Sequence, residues 1–265
     1  PWDVSVEYLH IGPDFNPELG YVRQTGIDRW GYSMAYTPES NLSWLRRTAH
    51  SLRTKYAVDE DFEQFQDYIR ITPLGLVFES GDYVEYEYTY EGDNVKESFD
   101  IFKDISIAPG HHHYGYHTVD FRSARKRRTS VGLEYRKGQS LNGRREGYEV
   151  DGILQVSRHL DLALEGEIDK RDYPETPAPT GVYGGSFIAR LTRFRATYAF
   201  TPDMYLTSFL QWENESDLIS VNTRFRWTIE PERELFVVLN LGGNRDTDPF
   251  PHAGTAVKLA YNWRF

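Results

Sequence analysis

The chain has 265 residues, of which 39% are hydrophobic and 26% charged, with a formal net charge of -10. This acidic balance argues against nucleic-acid binding, because neutralising phosphates requires a basic face. No apolar run approaches the roughly 18 residues that a membrane-spanning helix needs. A transmembrane β-barrel stays compatible, because every second residue of its strands faces a polar interior and aromatic residues gather at both interfaces. The 19 Tyr against two Met suit such interfaces, and the absence of Cys fits an exported bacterial protein.

Alternation of apolar and polar residues recurs along the chain and predicts β-strands, because successive side chains of a strand point to opposite faces. The clearest segments are 2–8, 30–36, 84–90, 148–156, 160–168 and 219–229. Weaker alternation lies near 42–58, 65–80, 112–124, 129–137, 186–200, 203–213 and 234–241, and a further strand ends the chain. About fourteen strands and no long helical period predict an all-β fold. We expect residues 1–265 to be the C-terminal portion of an antiparallel up-and-down transmembrane β-barrel, within a larger barrel.

One predicted strand changes phase. In 186–200, Phe187 and Leu191 share one face, whereas Phe194 and Tyr198 share the other. A β-bulge near Thr192 would reconcile the two halves, since one extra residue reverses the alternation; misplaced strand boundaries would do so equally well.

The connections between predicted strands alternate between short and long. Short connections lie near 38–41, 80–82, 125–128, 157–159, 201–203 and 230–234. Longer connections lie near 9–28, 91–111, 138–146, 169–185 and 242–253, with short exceptions near 59–63 and 213–217. Outer-membrane barrels have tight periplasmic turns and longer extracellular loops. The pattern therefore predicts a periplasmic C-terminus in a Gram-negative outer membrane.

The last strand places apolar or aromatic residues on one face: Val257, Leu259, Tyr261, Trp263 and Phe265. A terminal Phe behind a ring-rich face resembles the signal that outer-membrane proteins present to the barrel-assembly machinery. A soluble protein's strand packed on a core would show the same alternation. Because the chain lacks an initiator Met and a signal peptide, we expect it to be a fragment of a longer exported precursor.

Three stretches resemble a known family. They are Asp14 to Arg23, then Phe200 to Met204 leading into Phe209 to Trp212, and Asn222 to Trp227 ahead of Leu235 to Val238. Their order and spacing resemble domain-of-unknown-function family 5916 across nearly the whole chain. The resemblance implies an outer-membrane barrel preceded by a carbohydrate-binding-family-9-like domain and further strands, of which this chain would be the C-terminal part. It implies no catalytic residues, and a carbohydrate-binding role transfers to no residue of this chain.

Charged residues fall in blocks on the faces predicted to point inward. The candidate lumen-lining residues are Glu149, Asp151, Asp161, Glu165, Glu167, Asp169, Arg193, Arg195, Arg224, Arg226, Lys258 and Arg264. They could form ion pairs that rigidify the lumen, or a transverse field that orients and selects polar solutes; the two are compatible.

The run His111 to His113, near His117, is the one candidate metal site. Neighbouring residues of an extended chain point in opposite directions, so at most His111 and His113 could share an ion, and no Cys is present. An exposed polar loop is the favoured interpretation. We expect no metal and no cofactor.

Two connections are candidate contact sites. Arg125 to Arg128 form a basic tetrad in a predicted periplasmic turn, either a solvated turn or a contact for anionic headgroups or a partner. The Pro-rich stretch 169–181 is expected to be an extracellular loop, because Pro is excluded from sheet interiors. Whether it constricts a pore or binds a partner protein is open.

The leading functional hypothesis is a pore or translocating component for polar solutes, carbohydrate-related ones among them. The alternative is a non-conducting barrel that anchors a binding domain or partner complex. A rim-located outer-membrane hydrolase comes third, because no nucleophile elbow, HExxH motif or glycine-rich phosphate loop occurs, so we expect no enzyme. A soluble β-protein ranks last. The expected partners are the lipid bilayer, lipopolysaccharide, the barrel-assembly machinery during insertion, and a protein at the loops, but not nucleic acid.

Overall fold

The computed structural model describes residues 1–18, 20–22, 25–103, 105–174, 184–231, 233–245 and 247–261. These residues form strands, turns and loops without a helix. Accordingly, this part of the chain contains no helix long and apolar enough to cross a membrane.

The strands are mostly ten residues or longer. In the first half they are β1 (Trp2–Ile11), β2 (Ile27–Tyr36), β3 (Leu45–Asp59), β4 (Gln64–Phe78), β5 (Tyr83–Val95), β6 (Phe99–Phe102), β7 (Ile105–Ile107) and β8 (Gly110–Arg122). In the second half they are β9 (Thr129–Ser140), β10 (Gly143–Gln155), β11 (Leu160–Tyr173), β12 (Gly185–Thr201), β13 (Met204–Glu213), β14 (Leu218–Glu230), β15 (Arg233–Asn244) and β16 (Asp248–Tyr261).

Fourteen of the strands form one antiparallel sheet in the order β1-β2-β3-β4-β5-β8-β9-β10-β11-β12-β13-β14-β15-β16. The predicted all-β class, the strand number and the up-and-down order are therefore confirmed. Within the described residues the sheet is not closed, because β1 pairs with β2 alone and β16 with β15 alone.

The chain divides into two compact units. Unit 1 comprises Pro1–Phe121, Glu134–Gly147 and Lys170–Phe187; unit 2 comprises Arg122–Leu133, Tyr148–Asp169 and Ile188–Phe265. The strands of each unit separate apolar from polar side chains.

In unit 1, the strand register places like side chains in rows across the sheet. One row runs Val4, Met34, Leu52, Ile71 and Tyr88, and we name the face that carries it the apolar face of unit 1. The row shifted by one residue lies on the opposite, polar face: Ser5, Ser33, Arg53, Arg70 and Thr89. The separation follows from the period of two, which repeats in every paired strand.

Unit 2 has the same separation. Tyr198, Leu206, Phe225, Val237 and Val257 form a row on its apolar face. Arg195, Phe209, Asn222, Asn240 and Gly254 form a row on its polar face. The rows are aligned because the pairing between these strands is regular at these positions.

A small core in unit 1 surrounds the hairpin formed by β6 and β7. Ile107 of β7 is fully buried, and the Phe102 ring of β6 stacks on Phe187 of β12 with centroids 4.3 Å apart. Tyr173 of β11 stacks on Phe187 from 6.4 Å. Apolar side chains of this hairpin are thus buried against β11 and β12.

Several connections are shorter than the alternation predicts. β9 and β10 are joined by residues 141–142 and β15 and β16 by 245–247, where the sequence predicts loops over 138–146 and 242–253. The prediction is wrong there because backbone pairing continues beyond the point where apolar residues stop alternating. Long connections do occur at 12–26 and 96–109, the latter containing the hairpin.

The bulge predicted near Thr192 is absent from the pairing of β12 with β13. That pairing is continuous from Leu191 to Ala199, and the register shift lies between Ala199 and Thr201. In that pairing, Phe194 and Tyr198 lie on the apolar face of unit 2 without an inserted residue between them.

Candidate functional site

An open hollow of about 370 Å³ lies on the polar face of unit 2. Three carboxylates line it, all predicted to point inward: Glu149, Asp151 and Glu165. Four arginines line it as well: Arg122, Arg125, Arg193 and Arg195. The hollow therefore brings together two of the charge blocks seen in the sequence, the acidic residues of β10 and β11 and the basic residues of β12.

One ion pair crosses from β11 to β12 within this hollow. Arg193 Nη1 donates a hydrogen bond to Glu165 Oε1, and its Nε donates another to Gln211 Oε1 at 3.3 Å. Both charged side chains are 37% exposed. Arg193 and Glu165 thus neutralise each other, and the hydrogen bond to Gln211 holds the pair against β13.

Three charged side chains of the hollow have no such contact. Within the described part of the chain, Asp151, Arg195 and Arg125 have no ion-pair or hydrogen-bonding partner for their side chains. Asp151 and Arg195 lie in strands, whereas Arg125 lies in the turn between β8 and β9. Arg195 lies directly opposite Phe209 on β13. The same hollow thus offers a carboxylate, a guanidinium and an aromatic ring to a molecule that enters it.

Gly132 of β9 provides the space that Asp151 occupies. A Cβ atom at position 132 would collide with Asp151 Oδ1 and crowd its Cγ and Oδ2. Any larger residue would therefore displace the carboxylate. The sequence alone did not single out this glycine.

The remaining predicted lining residues are distributed more widely. Register places Arg224, Arg226 and Lys258 on the polar face that carries Arg195. Arg226 donates hydrogen bonds to Glu234 and, at 3.0 Å, to Tyr205 Oη, so it is held in place. Asp161, Glu167 and the buried Asp169 lie in β11 but do not line the hollow. Arg264 lies outside the described residues. Whether these residues face a lumen stays a prediction.

The polar face of unit 1 carries a tighter network that sequence reasoning missed. Arg70 Nε lies 2.9 Å from Glu87 Oε1 and 3.3 Å from Thr89 Oγ1, and Thr89 is fully buried. The sequence signals were the alternation of Arg70 with Ile69 and Ile71 and that of Glu87 with Tyr86 and Tyr88, and neither indicated that the two charges pair.

Tyrosine hydroxyls complete this network beside Arg70. Tyr114 Oη contacts Glu91 Oε2 at 2.8 Å and Asp93 Oδ2 at 2.7 Å, and Tyr116 Oη donates to Glu91 Oε1 at 3.0 Å. Two carboxylates of β5, those of Glu91 and Asp93, are therefore hydrogen-bonded from β8.

The histidine run is engaged in other contacts. His113 Nδ1 lies 3.8 Å from Asp67 Oδ1 and its ring stacks on Tyr90, while His112 Nε2 hydrogen-bonds Ala108 O at 2.8 Å. Over the residues that the structure describes, no group of three His, Cys, Asp or Glu side chains could hold a metal ion. His111 and His113 are thus not assembled into a metal-binding group there.

The predicted C-terminal signal is described only in part. Leu259 and Val257 pair with Leu235 and Val237 on the apolar face of unit 2, and both are highly exposed. The Tyr261 backbone pairs with Arg233, and Trp263 and Phe265 lie outside the described residues.

The structure confirms a turn at the basic tetrad, but it places the first five residues of the Pro-rich stretch in a strand, where a loop was predicted. The side of the membrane on which either lies stays a prediction. The basic tetrad forms the turn between β8 and β9, where Arg128 donates to the carbonyl oxygens of Gln155 and Val156. Of the Pro-rich stretch, Asp169 to Tyr173 belong to β11 and Pro174 follows it; the rest lies outside the described residues.

No family model, curated protein or solved structure matches this chain. The resemblance to domain-of-unknown-function family 5916 therefore stays a prediction from residues 14–23, 200–212 and 222–238.

Proposed function

We propose that this chain belongs to a Gram-negative outer-membrane β-barrel whose polar face lines a passage for small polar solutes. The observation that carries the proposal is the spacing of aromatic rings at the two ends of the apolar faces.

In unit 1, rings gather in two bands on the apolar face. Trp2 and Tyr36 lie at one end, with centroids 4.4 Å apart. Tyr8, Trp30 and Tyr56 lie at the other, with successive centroids 5.6 and 6.4 Å apart. Six residues separate Trp2 from Tyr8, or roughly 20 Å along a strand. Transmembrane barrels have an apolar band about 25 Å tall between two aromatic girdles, and these dimensions support membrane insertion.

Unit 2 repeats the arrangement independently. Trp227 pairs opposite Met204, and Trp212 pairs opposite Ile219 at the other end of the same two strands. Eight residues separate Trp227 from Ile219, or roughly 27 Å along the strand. The rings of Phe200 and Phe225, 6.4 Å apart, extend the band at the Trp227 end.

Exposure of the residues between these bands favours lipid rather than water as the surroundings. Val4 and Val6 are 58% and 79% exposed, and Val257 and Leu259 are 68% and 67% exposed. Rows of exposed aliphatic side chains are unfavourable in water, at about 25 cal/mol per Å² of apolar surface. Charged side chains on the opposite face suit a water-filled interior, because charge on the lipid face is costly.

Paired substitutions on adjacent residues of β2 test membrane insertion. Met34→Arg places a charge at the centre of the apolar face, and Ala35→Arg places the same charge on the polar face opposite Asp3. We expect Met34→Arg to lower the free energy of unfolding in lipid vesicles by about 2–4 kcal/mol, and Ala35→Arg to lower it by much less. Equal effects, or a monodisperse folded protein in detergent-free buffer, would refute the membrane proposal.

Passage is tested separately with the purified protein in planar bilayers and in a liposome-swelling assay. We expect single-channel conductance and faster entry of small polar solutes than into protein-free liposomes. Correctly inserted protein that gives neither signal would exclude the pore.

The buried hairpin of unit 1 favours a second candidate, a non-conducting barrel that anchors a binding domain or partner. Ile107 is fully buried and the ring stack of Phe102 on Phe187 ties the loop between β5 and β8 to β12. A tightly packed loop of this kind would suit a plugged barrel. This version predicts that the intact chain gives no conductance and that deleting residues 98–108 makes the barrel conduct.

A further inference from the structure

We propose that the hollow of unit 2 is a binding subsite for a small zwitterion, with the carboxylate held by Arg195 and the ammonium group by Asp151. This inference deepens the proposed passage of polar solutes and names the class of solute.

The charges of the hollow match a molecule with one group of each sign. Glu165 and Arg193 satisfy each other, so neither is the first choice for a ligand. Asp151, Arg195 and Arg125 have no partner for their side chains among the described residues. Of the two arginines, Arg195 lies within the sheet, opposite Phe209, whereas Arg125 lies in the turn between β8 and β9. A guanidinium presents parallel N–H donors that fit a carboxylate, and a carboxylate accepts hydrogen bonds from an ammonium group.

Asp151 and Arg195 lie on strands that are separated by one other strand. Asp151 is on β10 and Arg195 is on β12, with β11 between them in the sheet. Two strand spacings place the backbones about 10 Å apart. A zwitterion whose charges are separated by several methylene groups therefore suits this gap better than one whose charges are adjacent.

Apolar side chains line the remainder of the hollow. Ile153, Ala163 and Phe209 are among them, and Phe209 lies directly opposite Arg195. They offer a surface to the methylene chain that joins the two charges. The volume of about 370 Å³ is within the range of small-molecule sites, roughly 300–1,000 Å³.

Gly132 acts as a positioning residue in this site. Because a Cβ atom at position 132 would collide with Asp151 Oδ1, the glycine determines where the carboxylate lies. Gly166 of β11 provides a matched control, since a Cβ atom there has no neighbour within 4 Å and Gly166 does not line the hollow.

Calorimetric titration of the full chain in detergent micelles tests the proposal with three probes: 6-aminohexanoate, hexanoate and 1-aminohexane. We expect 6-aminohexanoate to bind about tenfold more tightly than either single-charge probe, because each charged hydrogen bond contributes. Equal binding of hexanoate and 6-aminohexanoate would show a simple anion site and overturn the proposal. No binding of any probe would overturn it as well.

Single-residue variants test which side chain binds each end of 6-aminohexanoate. Asp151→Asn and Gly132→Ala should each weaken the binding of 6-aminohexanoate about tenfold, to the affinity of hexanoate. Neither should change the affinity for hexanoate. Arg195→Met should weaken both carboxylate probes, whereas Gly166→Ala should change none. If Gly132→Ala fails to fold, Asp151→Asn still decides the outcome, and its unchanged binding of 6-aminohexanoate would refute the assignment.

These titrations do not depend on passage. Conductance without selective binding of 6-aminohexanoate would refute the proposed subsite and support the proposed pore. Selective binding without conductance would support the subsite and refute the pore.

Discussion

Around Arg70 in unit 1 the polar face carries a cluster of paired, half-buried charges, whereas in the hollow of unit 2 Asp151, Arg195 and Arg125 have no partner among the described residues. Arg70, Glu87 and Thr89 are in mutual contact, and tyrosine hydroxyls reach the neighbouring carboxylates. In the hollow of unit 2, Glu165 and Arg193 pair but Asp151 and Arg195 do not. Both faces follow the same alternation, so whether a charge is paired depends on which side chains the register of the neighbouring strands places beside it.

Breaking the Arg70–Glu87 pair should give the largest effect. Arg70→Met retains most of the side-chain volume but leaves the Glu87 carboxylate, which is 16% exposed, without its cation. We expect the free energy of unfolding to fall by about 2–3 kcal/mol, below the full cost of a deeply buried pair because both groups retain some solvent. Urea unfolding in lipid vesicles, followed by tryptophan fluorescence, measures it.

Arg29→Met is the matched control for that substitution. Arg29 lies 2.9 Å from Glu7, the same distance as in the Arg70 pair, but Glu7 is 58% exposed. We expect a loss below about 1 kcal/mol. Equal losses for the two variants would contradict the contrast between a half-buried network and a solvated pair.

Removing the hydroxyl of Tyr114 should have the next largest effect. Tyr114→Phe removes the donor that Glu91 and Asp93 share at 2.8 and 2.7 Å. Two part-buried carboxylates would lose a donor, so we expect a loss of about 1–2 kcal/mol in the same unfolding measurement. A variant as stable as the parent protein would show that water replaces the hydroxyl.

Breaking the Arg193–Glu165 pair of unit 2 should lower the free energy of unfolding by less. Glu165→Gln removes the ion pair with Arg193, and both side chains are 37% exposed. We expect less than about 1 kcal/mol of destabilisation. A loss as large as that of Arg70→Met would mean that the hollow is as dry as the network in unit 1, and would weaken the case for a ligand there.

The smallest expected effect is a change in stability with pH, which arises at the turn between β3 and β4. Hydrogen bonds from Lys96 Nζ at 2.6 Å and from the backbone N–H groups of Asp61 and Glu63 lower the pKa of Asp59 below its ordinary value. A lowered folded-state pKa contributes stability that is present above the ordinary value and lost as pH falls through the folded one.

The melting temperature of the parent protein should therefore exceed that of Asp59→Asn at pH 6, and the gap should narrow below about pH 4. A gap that is constant from pH 6 to pH 3 would show that the carboxylate charge has no role in stabilising this turn.

Much of the fold is predictable from the sequence, and the reason is local. Alternation predicts both the strand number and the rows of like side chains, because the pleat repeats every two residues in any paired strand. The register accordingly places Arg193, Arg195, Arg224 and Arg226 on one face of the sheet, and whether that face lines a lumen stays a prediction. Link lengths were less predictable, since residues 141–142 join strands whose ends carry polar side chains on both faces.

The candidate site was predictable only in part. Sequence indicates that Asp151 and Arg195 both face the polar side, but not that they line one hollow without partners. Gly132, Arg122 and Phe209 were missed, because each acquires its role from a residue on another strand. The Arg70 network was missed for the same reason, since its partners come from β4, β5 and β8.

By itself, the sequence determined the strands, their faces and the blocks of charge, because these depend on a period that the backbone imposes on every strand. Only the tertiary structure decided which charges pair and which stay open. That outcome depends on the register between strands and on the space that a residue such as Gly132 leaves, and neither is a property of one strand alone.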